Sequence, residues 1–338
     1  MARETTGLPV LFDARWLGAH GIGRFAREIS YRAGFSEFYQ SARLPSSPMD
    51  PCLLSYDLRN RKSDLYYSPG YNAPLWSPLP FVFTIHDLNH LFVEENSSIL
   101  KRLYYQKVMK PAARRAAYVL TVSEFSRQAI LEWSGVDEDR VVNVGNGVSS
   151  EFSISGPAHD PGYEYLLFIG NRKAHKNLPR IIEAYAASRV CGEVHLLLSG
   201  GYDEATGRLV RHFGLEDLVH FAGHIVEADL PAYYRGARAL LFVSLYEGFG
   251  LPIVEAMACG VPVLTSTVAA MPETAGDAAL LVNPRNVDEI AAGMESIVLD
   301  EALRDTLISR GLRRAGRFSW DATAEKVRKA LLAALEQG

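Results

Sequence analysis

Two glutamates define the chemistry that this chain could perform. Glu247 and Glu255 have seven residues between them in the segment YEGFGLPIVEAMACGVPV, residues 246–263. Glu247 precedes a glycine-rich turn, and Pro252 suits the first helical position because its missing N–H costs nothing there. Glu255 would then lie in the first helical turn, and Gly260 would end the helix. Both acids therefore flank a helix N-terminus that can bind an anion, an arrangement suited to a ligand with hydroxyls and phosphates.

A group of cations follows another predicted strand, residues 166–169, in the segment GNRKAHKN at 170–177. The segment contains Arg172 and Lys176 and opens a predicted helix. A helix dipole offers only about half a charge, so arginine and lysine side chains must neutralise most of a diphosphate. The alternative is a solvated surface loop with no ligand.

His86 lies just past the apolar run FTI, where a parallel strand ends. It could act as a base, hold a hydroxyl or serve only the structure. The loop GAHGIGR at residues 18–24 precedes a helix predicted over 25–32, and its glycines would let a sugar or phosphate approach the backbone. Its spacing is not that of a dinucleotide site, and a tight turn without a ligand is the alternative. His86 and His90 lack a third ligand, so no zinc site is expected.

The elements that must position these residues follow an α/β pattern. With 338 residues the chain is long enough for two domains. Short apolar runs alternate with helical stretches on both sides of a proline-bearing linker at 151–163, which predicts two Rossmann-like domains with parallel sheets and a cleft between them. An amphipathic helix is predicted over 319–336. The predicted strands are 10–12, 65–67, 81–85, 118–122 and 141–144, then 165–169, 194–198, 219–221, 239–243, 261–264 and 279–282.

Composition narrows the classes of function. The net charge of −4 gives no electrostatic support for a general nucleic-acid-binding role. No apolar run approaches the roughly 18 residues of a membrane-spanning helix, and residues 1–9 do not resemble a signal peptide. Cys52, Cys191 and Cys259 are few and widely spaced, which favours a reducing, cytoplasmic setting.

A basic segment stands apart from this pattern. Residues 101–115 contain six lysines or arginines and no acid, with Leu100, Tyr104 and Val108 as an apolar stripe and Pro111 expected to interrupt the helix. An anionic membrane surface or a lipid-linked anionic acceptor could dock there, and an ordinary solvated helix face is the alternative.

With these segments in view, the chain resembles the retaining glycosyltransferases of the GT-B fold known as glycosyltransferase family 4. The most specific mark is the E-x7-E pattern from Glu247 to Glu255. FDARWL, GIGRF and GNRKAHKNL are most similar to mannosyltransferases of bacterial surface-polysaccharide assembly. The supporting segments are GIGRF at 21–25, FTIHDL at 83–88, TVSEFSR at 121–127, NVGNGV at 143–148, FIGNRKAHKN at 168–177 and PETAGDAALLV at 272–282.

The resemblance implies separate roles for the two domains. Residues 1–155, with the C-terminal helix 319–338 returning to them, would bind the acceptor, and 156–318 would bind the nucleotide sugar. Glu247 would contact the transferred sugar and Glu255 the ribose. Lys176 matches the family lysine that holds the diphosphate. Either Arg172 or His175 would take the role of the family arginine, which also holds the diphosphate. The remaining contacts with the donor would come from His86, Gly21, Gly23, Gly170, Phe249, Gly250 and Leu251.

The implied reaction is retaining and needs no metal or other cofactor, with the nucleotide sugar as a substrate. The expected donor is GDP-mannose, with a UDP- or dTDP-sugar as the alternative. The expected acceptor is a glycan or a polyprenyl-diphosphate-linked saccharide, and the expected location is the cytoplasm, at the inner face of the membrane. A non-catalytic nucleotide-sugar-binding module and an NAD-dependent oxidoreductase are the rival classes.

Overall fold

The protein is described by a computed structural model that covers residues 7–18, 21–93 and 97–337. The chain forms two compact units. Unit 1 contains Met1–Gly147 and Ser319–Gly338, and unit 2 contains Val148–Phe318. The sequence-predicted division lies a few residues further on, after residue 155. None of the helices in the described ranges is long and apolar enough to cross a membrane.

Unit 1 is built on a parallel sheet with strand order β2-β1-β3-β4-β5-β6. Its strands are β1 (Leu8–Asp13), β2 (Phe35–Tyr39), β3 (Tyr66–Ser68), β4 (Phe81–Thr84), β5 (Tyr118–Thr121) and β6 (Val141–Asn143). Its first helices are α1 (Gly21–Ala33), α2 (Asp50–Leu58), α3 (Asn89–Phe92), α4 (Ile99–Tyr104), α5 (Lys110–Arg115) and α6 (Glu124–Ser134).

Unit 2 repeats this plan with strand order β12-β11-β10-β7-β8-β9, again all parallel. Its strands are β7 (Tyr165–Phe168), β8 (His195–Leu198), β9 (Val219–Phe221), β10 (Ala239–Phe242), β11 (Val263–Ser266) and β12 (Leu280–Val282). Its helices are α7 (Leu178–Ala187), α8 (Glu204–His212), α9 (Leu230–Gly236), α10 (Leu251–Ala258), α11 (Met271–Ala275), α12 (Val287–Leu299) and α13 (Glu301–Ala315).

The central strand of unit 2 shows why the apolar runs predict strands well. Leu166 and Phe168 of β7 face one buried cluster, whereas Tyr165 and Leu167 face another on the opposite side of the sheet. A parallel strand covered by helices on both faces is apolar throughout and not alternately apolar and polar. The α/β prediction is confirmed, and the strand that the sequence missed is β2.

β2 escaped prediction because it lies at the edge of its sheet, with three exposed residues between buried Phe35 and Tyr39. The basic segment also differs from expectation. Its interruption comes before Pro111, as a wider π-helical turn over Tyr105–Met109 between α4 and α5.

The last helix, α14 (Trp320–Gln337), packs on α1, β4 and β5 of unit 1. Ser319 caps it, since its Oγ accepts the Ala322 N–H at 3.3 Å. Its buried face includes Trp320, Val327 and Leu331, and each large apolar side chain buried in this way contributes about 1.5–3 kcal/mol. The predicted return of the C-terminal helix to the N-terminal domain is confirmed.

Unit 1 also contains a buried ionic group that sequence patterns did not indicate. Arg15, directly after β1, bonds Asp13 at 2.7 Å and Asp50 at 2.6 Å, and all three side chains are buried. Tyr66 donates its hydroxyl to Asp13 at 2.6 Å. Burial alone would lower the pKa of Arg15, but the hydrogen bonds to the two carboxylates outweigh it and raise that pKa. Removing one partner would leave an uncompensated buried charge.

Two histidines of unit 2 share a hydrogen bond on neighbouring strands. His195 Nδ1 lies 2.8 Å from His220 Nε2, and the Tyr163 ring stacks on both imidazoles at 4.4 Å. Only one proton fits between the two nitrogens. Burial, reinforced by the charge of His195, lowers the pKa of His220, while Asp217 opposes the shift.

The pair predicts an acid-sensitive contribution to stability. The unfolded chain binds a proton at His220 more readily than the folded chain, so stability is present above about pH 6.5 and is lost as pH falls through the lower folded pKa. His220→Gln should flatten the dependence of the melting temperature on pH between about pH 7.5 and 5. The exposed His212→Gln serves as the matched control. A slope unchanged in His220→Gln would contradict the assignment.

Candidate active site

Asn177 fixes the loop that follows β7. Its Nδ2 donates to Val243 O at 3.0 Å and to Pro284 O at 2.7 Å, and its side chain is buried. Its φ of 61° lies in the left-handed region, which asparagine adopts more readily than most residues. One amide therefore joins the chain segments that follow β7, β10 and β12. From sequence, Asn177 was predicted only as part of the cationic segment, although an asparagine before a helix-opening Leu-Pro is a positional signal.

The structure brings Lys176 and Glu247 together. Lys176 Nζ donates to Glu247 Oε1 at 2.7 Å, and each side chain is 14% exposed. The ammonium also lies 4.9 Å from the centre of the Phe242 ring. The Leu245 N–H donates to His175 O at 2.7 Å, which draws the segment before Glu247 against the β7 loop. A cation and a carboxylate are thus held at the carboxyl ends of neighbouring strands β7 and β10.

Gly170 lies between the Phe168 ring and the stem of Lys176. Its N–H donates to Ser199 Oγ at 3.0 Å. A Cβ at this position would lie 3.1 Å from Phe168 Cζ and 3.4 Å from Lys176 Cδ. A larger residue would therefore press on the Phe168 ring, while its Cβ would touch the lysine stem at an ordinary contact distance.

The N-terminus of α10 lies directly after Glu247. The helix begins at Leu251, one residue before Pro252, so Glu255 is its fifth residue and lies beyond the first turn where the sequence placed it. Gly250, with φ of 95°, offers no side-chain cap, and the first turn holds no acid. The first turn of α10 itself therefore carries no carboxylate that would compete with a bound anion. Gly260 ends the helix with φ of 72°, as predicted.

Residues in and just before α11 also form hydrogen bonds with the turn before α10. Thr274 donates its hydroxyl to Phe249 O at 2.5 Å. The Ala270 N–H donates to Glu247 O, with 3.4 Å between N and O. Both contacts hold the backbone that carries Glu247 and the first N–H groups of the helix.

Glu255 lies in a different environment from Glu247. It is only 2% exposed, and its Oε2 accepts the Tyr234 hydroxyl of α9 at 2.8 Å. The two acids therefore have separate partners, an ammonium for one and a phenol for the other.

Arg172 is directed away from Lys176. Its Nε donates to Asp203 Oδ2 at 3.1 Å, and its guanidinium carbon lies 5.9 Å from the rings of Phe168 and Phe221. Its Nη1 and Nη2 are buried without a hydrogen-bond partner among the described residues. Arg172 thus faces β8 and β9, whereas Lys176 faces β10.

Asp203 is itself well anchored. It caps α8 by accepting the Thr206 N–H at 2.9 Å and the Thr206 hydroxyl at 2.7 Å. Burial works to raise its pKa, but the bonds from Thr206 and Arg172 outweigh burial and lower it. His175, the other residue considered for the arginine role, is buried.

In unit 1, α1 begins at Gly21, four residues earlier than the sequence indicated. A Cβ on Gly23 would lie 2.2 Å from Gly18 O, so only glycine fits there. A Cβ on Gly21 would meet nothing within 4 Å. Ala19 and His20 of the same glycine loop lie outside the described residues.

His86 of unit 1 is held on two sides. Its Nε2 lies 2.9 Å from Pro69 O, and Ser126 donates its hydroxyl to His86 O at 3.1 Å. The Phe25 ring meets the imidazole edge-on at 4.9 Å. A carbonyl only accepts, so this bond requires a proton on Nε2. In the described ranges, no three His, Cys, Asp or Glu side chains are grouped as a metal site would require.

Comparisons with known proteins agree with these motifs. The profile of Glycosyltransferase Family 4 matches residues 18–152, and that of Glycosyl transferases group 1 matches residues 149–314. O-antigen chain mannosyltransferase B of Escherichia coli is 32% identical over 287 residues, covering 81% of this chain and 75% of that protein. The chain belongs to glycosyltransferase family 4. O-antigen chain mannosyltransferase RfbU of Salmonella typhimurium is 28% identical, covering 72% of this chain and 67% of that protein.

The fold of this glycosyltransferase is that of known GT-B enzymes. The structure of Anabaena HepE in complex with UDP and glucose superposes with a TM-score of 0.79 at 19% identity. The match covers 96% of this chain and 100% of that one. The group 1 match contains Lys176, Glu247 and Glu255, whereas the family 4 match contains His86 and the glycine loop.

The glycine loop of this glycosyltransferase gives a matched pair of substitutions. Gly23→Ala should destabilise unit 1 by about 1–3 kcal/mol, because the new methyl group must displace backbone. Gly21→Ala should leave stability unchanged or raise it slightly, since alanine favours the first turn of α1. Scanning calorimetry of both variants checks this. Equal melting temperatures would show that the loop yields to the methyl group.

Proposed function

We propose that this glycosyltransferase transfers mannose from GDP-mannose, with retention of configuration, to a glycan or lipid-linked acceptor in bacterial surface-polysaccharide synthesis. The sequence relatives support the choice of sugar, since two of them are O-antigen chain mannosyltransferases. The observation that carries the proposal is the 2.7 Å pair of Lys176 and Glu247 beside the start of α10. This juxtaposition offers a cation and helix N–H groups to a diphosphate and a carboxylate to sugar hydroxyls.

Lys176 is proposed to hold the diphosphate. Cleavage of the bond between the anomeric carbon and the phosphate oxygen leaves negative charge on the diphosphate, and a nearby ammonium stabilises this charge. The N–H groups of Phe249, Gly250 and Leu251 would support it from the start of α10, with the Gly170 backbone on the other side. The proposal requires no metal and no cofactor, because these groups supply the positive charge. Arg172 would join them only after release from Asp203.

Glu247 is proposed to position the sugar through its hydroxyls and not to attack it. Its carboxylate is already held by Lys176, which fixes its orientation. The acceptor hydroxyl would approach from the face that the diphosphate leaves, and a phosphate oxygen of the donor would take its proton. A bond forms between acceptor oxygen and anomeric carbon as the bond to phosphate breaks, so configuration is retained.

Glu255 is proposed to contact the ribose. Tyr234 occupies Oε2 of this acid and so orients its carboxylate. His86, Gly21 and Gly23 are proposed to contact the donor sugar. The nucleotide sugar and the acceptor glycan are the proposed partners. An acceptor linked to lipid would place the reaction at the inner face of the membrane, with residues 101–115 in contact with it.

A UDP- or dTDP-sugar is the second candidate donor. The structure of HepE, which shares this fold, was solved with UDP and glucose. The candidate donors differ in the base, and a dTDP-sugar also contains deoxyribose in place of ribose. All of them share the diphosphate, so they make the same demands on Lys176.

The phosphate role gives a quantitative prediction. Lys176→Ala should weaken binding of GDP by about 1.5–3 kcal/mol, or roughly 10- to 150-fold, as for a lost charge-assisted hydrogen bond. Lys173→Ala, an exposed lysine of the same loop, is the control and should bind normally. Arg172→Ala should lose less than Lys176→Ala, because Asp203 holds the arginine. Isothermal titration calorimetry measures all three. Unchanged affinity in Lys176→Ala would rule out its assigned role.

The donor is decided by a thermal-shift panel of GDP-mannose, UDP-glucose and dTDP-glucose. At equal ligand concentration GDP-mannose should raise the melting temperature most, since the stabilisation of the folded state rises with the logarithm of the affinity. Transfer of labelled mannose should also continue after treatment with a chelator. A larger shift with a UDP- or dTDP-sugar would favour the second candidate. Loss of turnover on chelation, restored by Mg²⁺, would contradict the metal-free reaction.

A further inference from the structure

An arginine of α13 binds the end of α11. Arg314 Nε donates to Thr274 O at 3.0 Å, and its Nη2 donates to Glu273 O. The last carbonyls of a helix have no N–H partner within that helix, and a basic side chain can take their place. Gly276 follows α11 with φ of 59°, and a Cβ there would lie 3.4 Å from the guanidinium carbon of Arg314. Arg314 therefore satisfies the end of α11 and packs closely against it.

Two connections lead from Arg314 to Phe249. The first passes through α11, because Thr274 donates its hydroxyl to Phe249 O. The second passes through a ring. The guanidinium carbon of Arg314 lies 5.1 Å from the centre of the Phe318 ring, and this ring meets that of Phe249 edge-on at 5.4 Å. The main chain and the side chain of Phe249 are thus both held from the same arginine.

Phe249 needs contacts of this kind because it lies between two glycines, Gly248 and Gly250, in the turn before α10. Glycine places little restraint on its own backbone, and Gly250 has φ of 95°. Because the peptide unit is planar and trans, a carbonyl oxygen and the N–H that follows it point in opposite directions. A hydrogen bond that holds Phe249 O therefore also fixes the direction of the Gly250 N–H.

Arg314 differs from the surface arginines around it. Burial, reinforced by the charge of Arg317, lowers the pKa of Arg314, although Asp277 and Glu273 act in the opposite direction. Burying a cation there has an energetic cost, which the bonds to two carbonyls and the contact with a ring offset. The neighbouring Arg313 is exposed and hydrogen-bonds within α13. Arg313 is therefore a matched control for the loss of one positive charge.

We propose that Arg314 is a positioning residue of the donor site. It holds Phe249 through Thr274 and through Phe318. It thereby directs the Gly250 N–H toward an anion bound at the start of α10. The inference rests on the proposed function in one respect, because that anion is the donor diphosphate. Arg314 acts through these residues and not by touching the donor.

Isothermal titration calorimetry with GDP and with GMP tests this role. Arg314→Ala should weaken GDP binding roughly three- to tenfold, as when one hydrogen bond is misaligned. GMP lacks the terminal phosphate, on which charge develops in the reaction, so its affinity should change less. Arg314→Lys keeps a cation near Phe318 and a donor for one carbonyl, and should recover part of the affinity. Arg313→Ala should bind both nucleotides like the unmodified chain.

A second set of measurements tests the connection to the turn. Thr274→Val removes the hydroxyl that holds Phe249 O and keeps a side chain of similar shape. Because both residues act on one turn, the double variant with Arg314→Ala should lose less GDP affinity than the product of the two single losses. Amide hydrogen exchange of residues 249–256, measured without ligand, should be faster in Arg314→Ala and unchanged in Arg313→Ala. Melting temperatures confirm that each variant is folded in the assay.

Three results would overturn the inference. They are an unchanged GDP affinity in Arg314→Ala, equal losses for GDP and GMP, and single losses that multiply in the double variant. Equal losses would show a general loosening of unit 2. If Arg314→Ala does not fold, Arg314→Lys and Thr274→Val provide the same comparison of GDP with GMP.

The unmodified chain separates this inference from the proposed function. If it binds UDP and not GDP, the proposed donor fails, and the same comparison is made with UDP and UMP. If it binds none of these nucleotides, the proposed function fails and hydrogen exchange decides the inference, which an unchanged rate in Arg314→Ala would overturn. If it binds GDP and Arg314→Ala binds GDP equally well, the inference fails alone.

Discussion

The amide of Asn177 is the contact on which the candidate site depends. The loops that follow parallel strands all lie at one edge of the sheet, but this arrangement alone does not fix the loops relative to each other. By donating to Val243 O and Pro284 O, this one buried side chain joins three loops, and the left-handed backbone at Asn177 orients the residue before it. Lys176 meets Glu247 because of that anchor. The ion pair is thus a consequence of backbone geometry and does not rely on the weak attraction of exposed charges.

The two cations of the β7 loop illustrate how one short segment serves two sides of a sheet. Lys176 turns toward β10, where its ammonium bonds Glu247 and lies over the Phe242 ring. Arg172 turns toward β8 and β9, where Asp203 accepts a hydrogen bond from Nε, and Nη1 and Nη2 have no hydrogen-bond partner within residues 7–18, 21–93 and 97–337. Buried donors without partners raise the free energy of that conformation. The conformation of Arg172 is therefore less favourable than that of Lys176, and an anion bound at Nη1 and Nη2 would stabilise it.

Sequence patterns gave most of the fold and the correct neighbourhood of the site. Apolar runs identified the central strands because both faces of a parallel sheet are covered, and glycine and proline located the turn before α10. β2 was missed because an edge strand keeps exposed residues between its buried ends. The partners of Arg172 and Glu255 could not be read in advance, since Asp203 and Tyr234 come from loops and helices that only the folded sheet brings near. The triad of Asp13, Arg15 and Asp50 was missed for the same reason.

The position of α14 has a consequence for synthesis on the ribosome. Unit 1 contains the first strands to emerge, yet Trp320 and the rest of its closing helix follow all of unit 2 in the chain. A Cβ on Gly147 would collide with Trp320, so the end of β6 and the start of α14 meet closely in the finished unit. Until α14 emerges, the surfaces of α1, β4 and β5 that it covers stay open to solvent. Unit 2 can therefore complete its core first, whereas unit 1 cannot bury these surfaces until α14 has been synthesised.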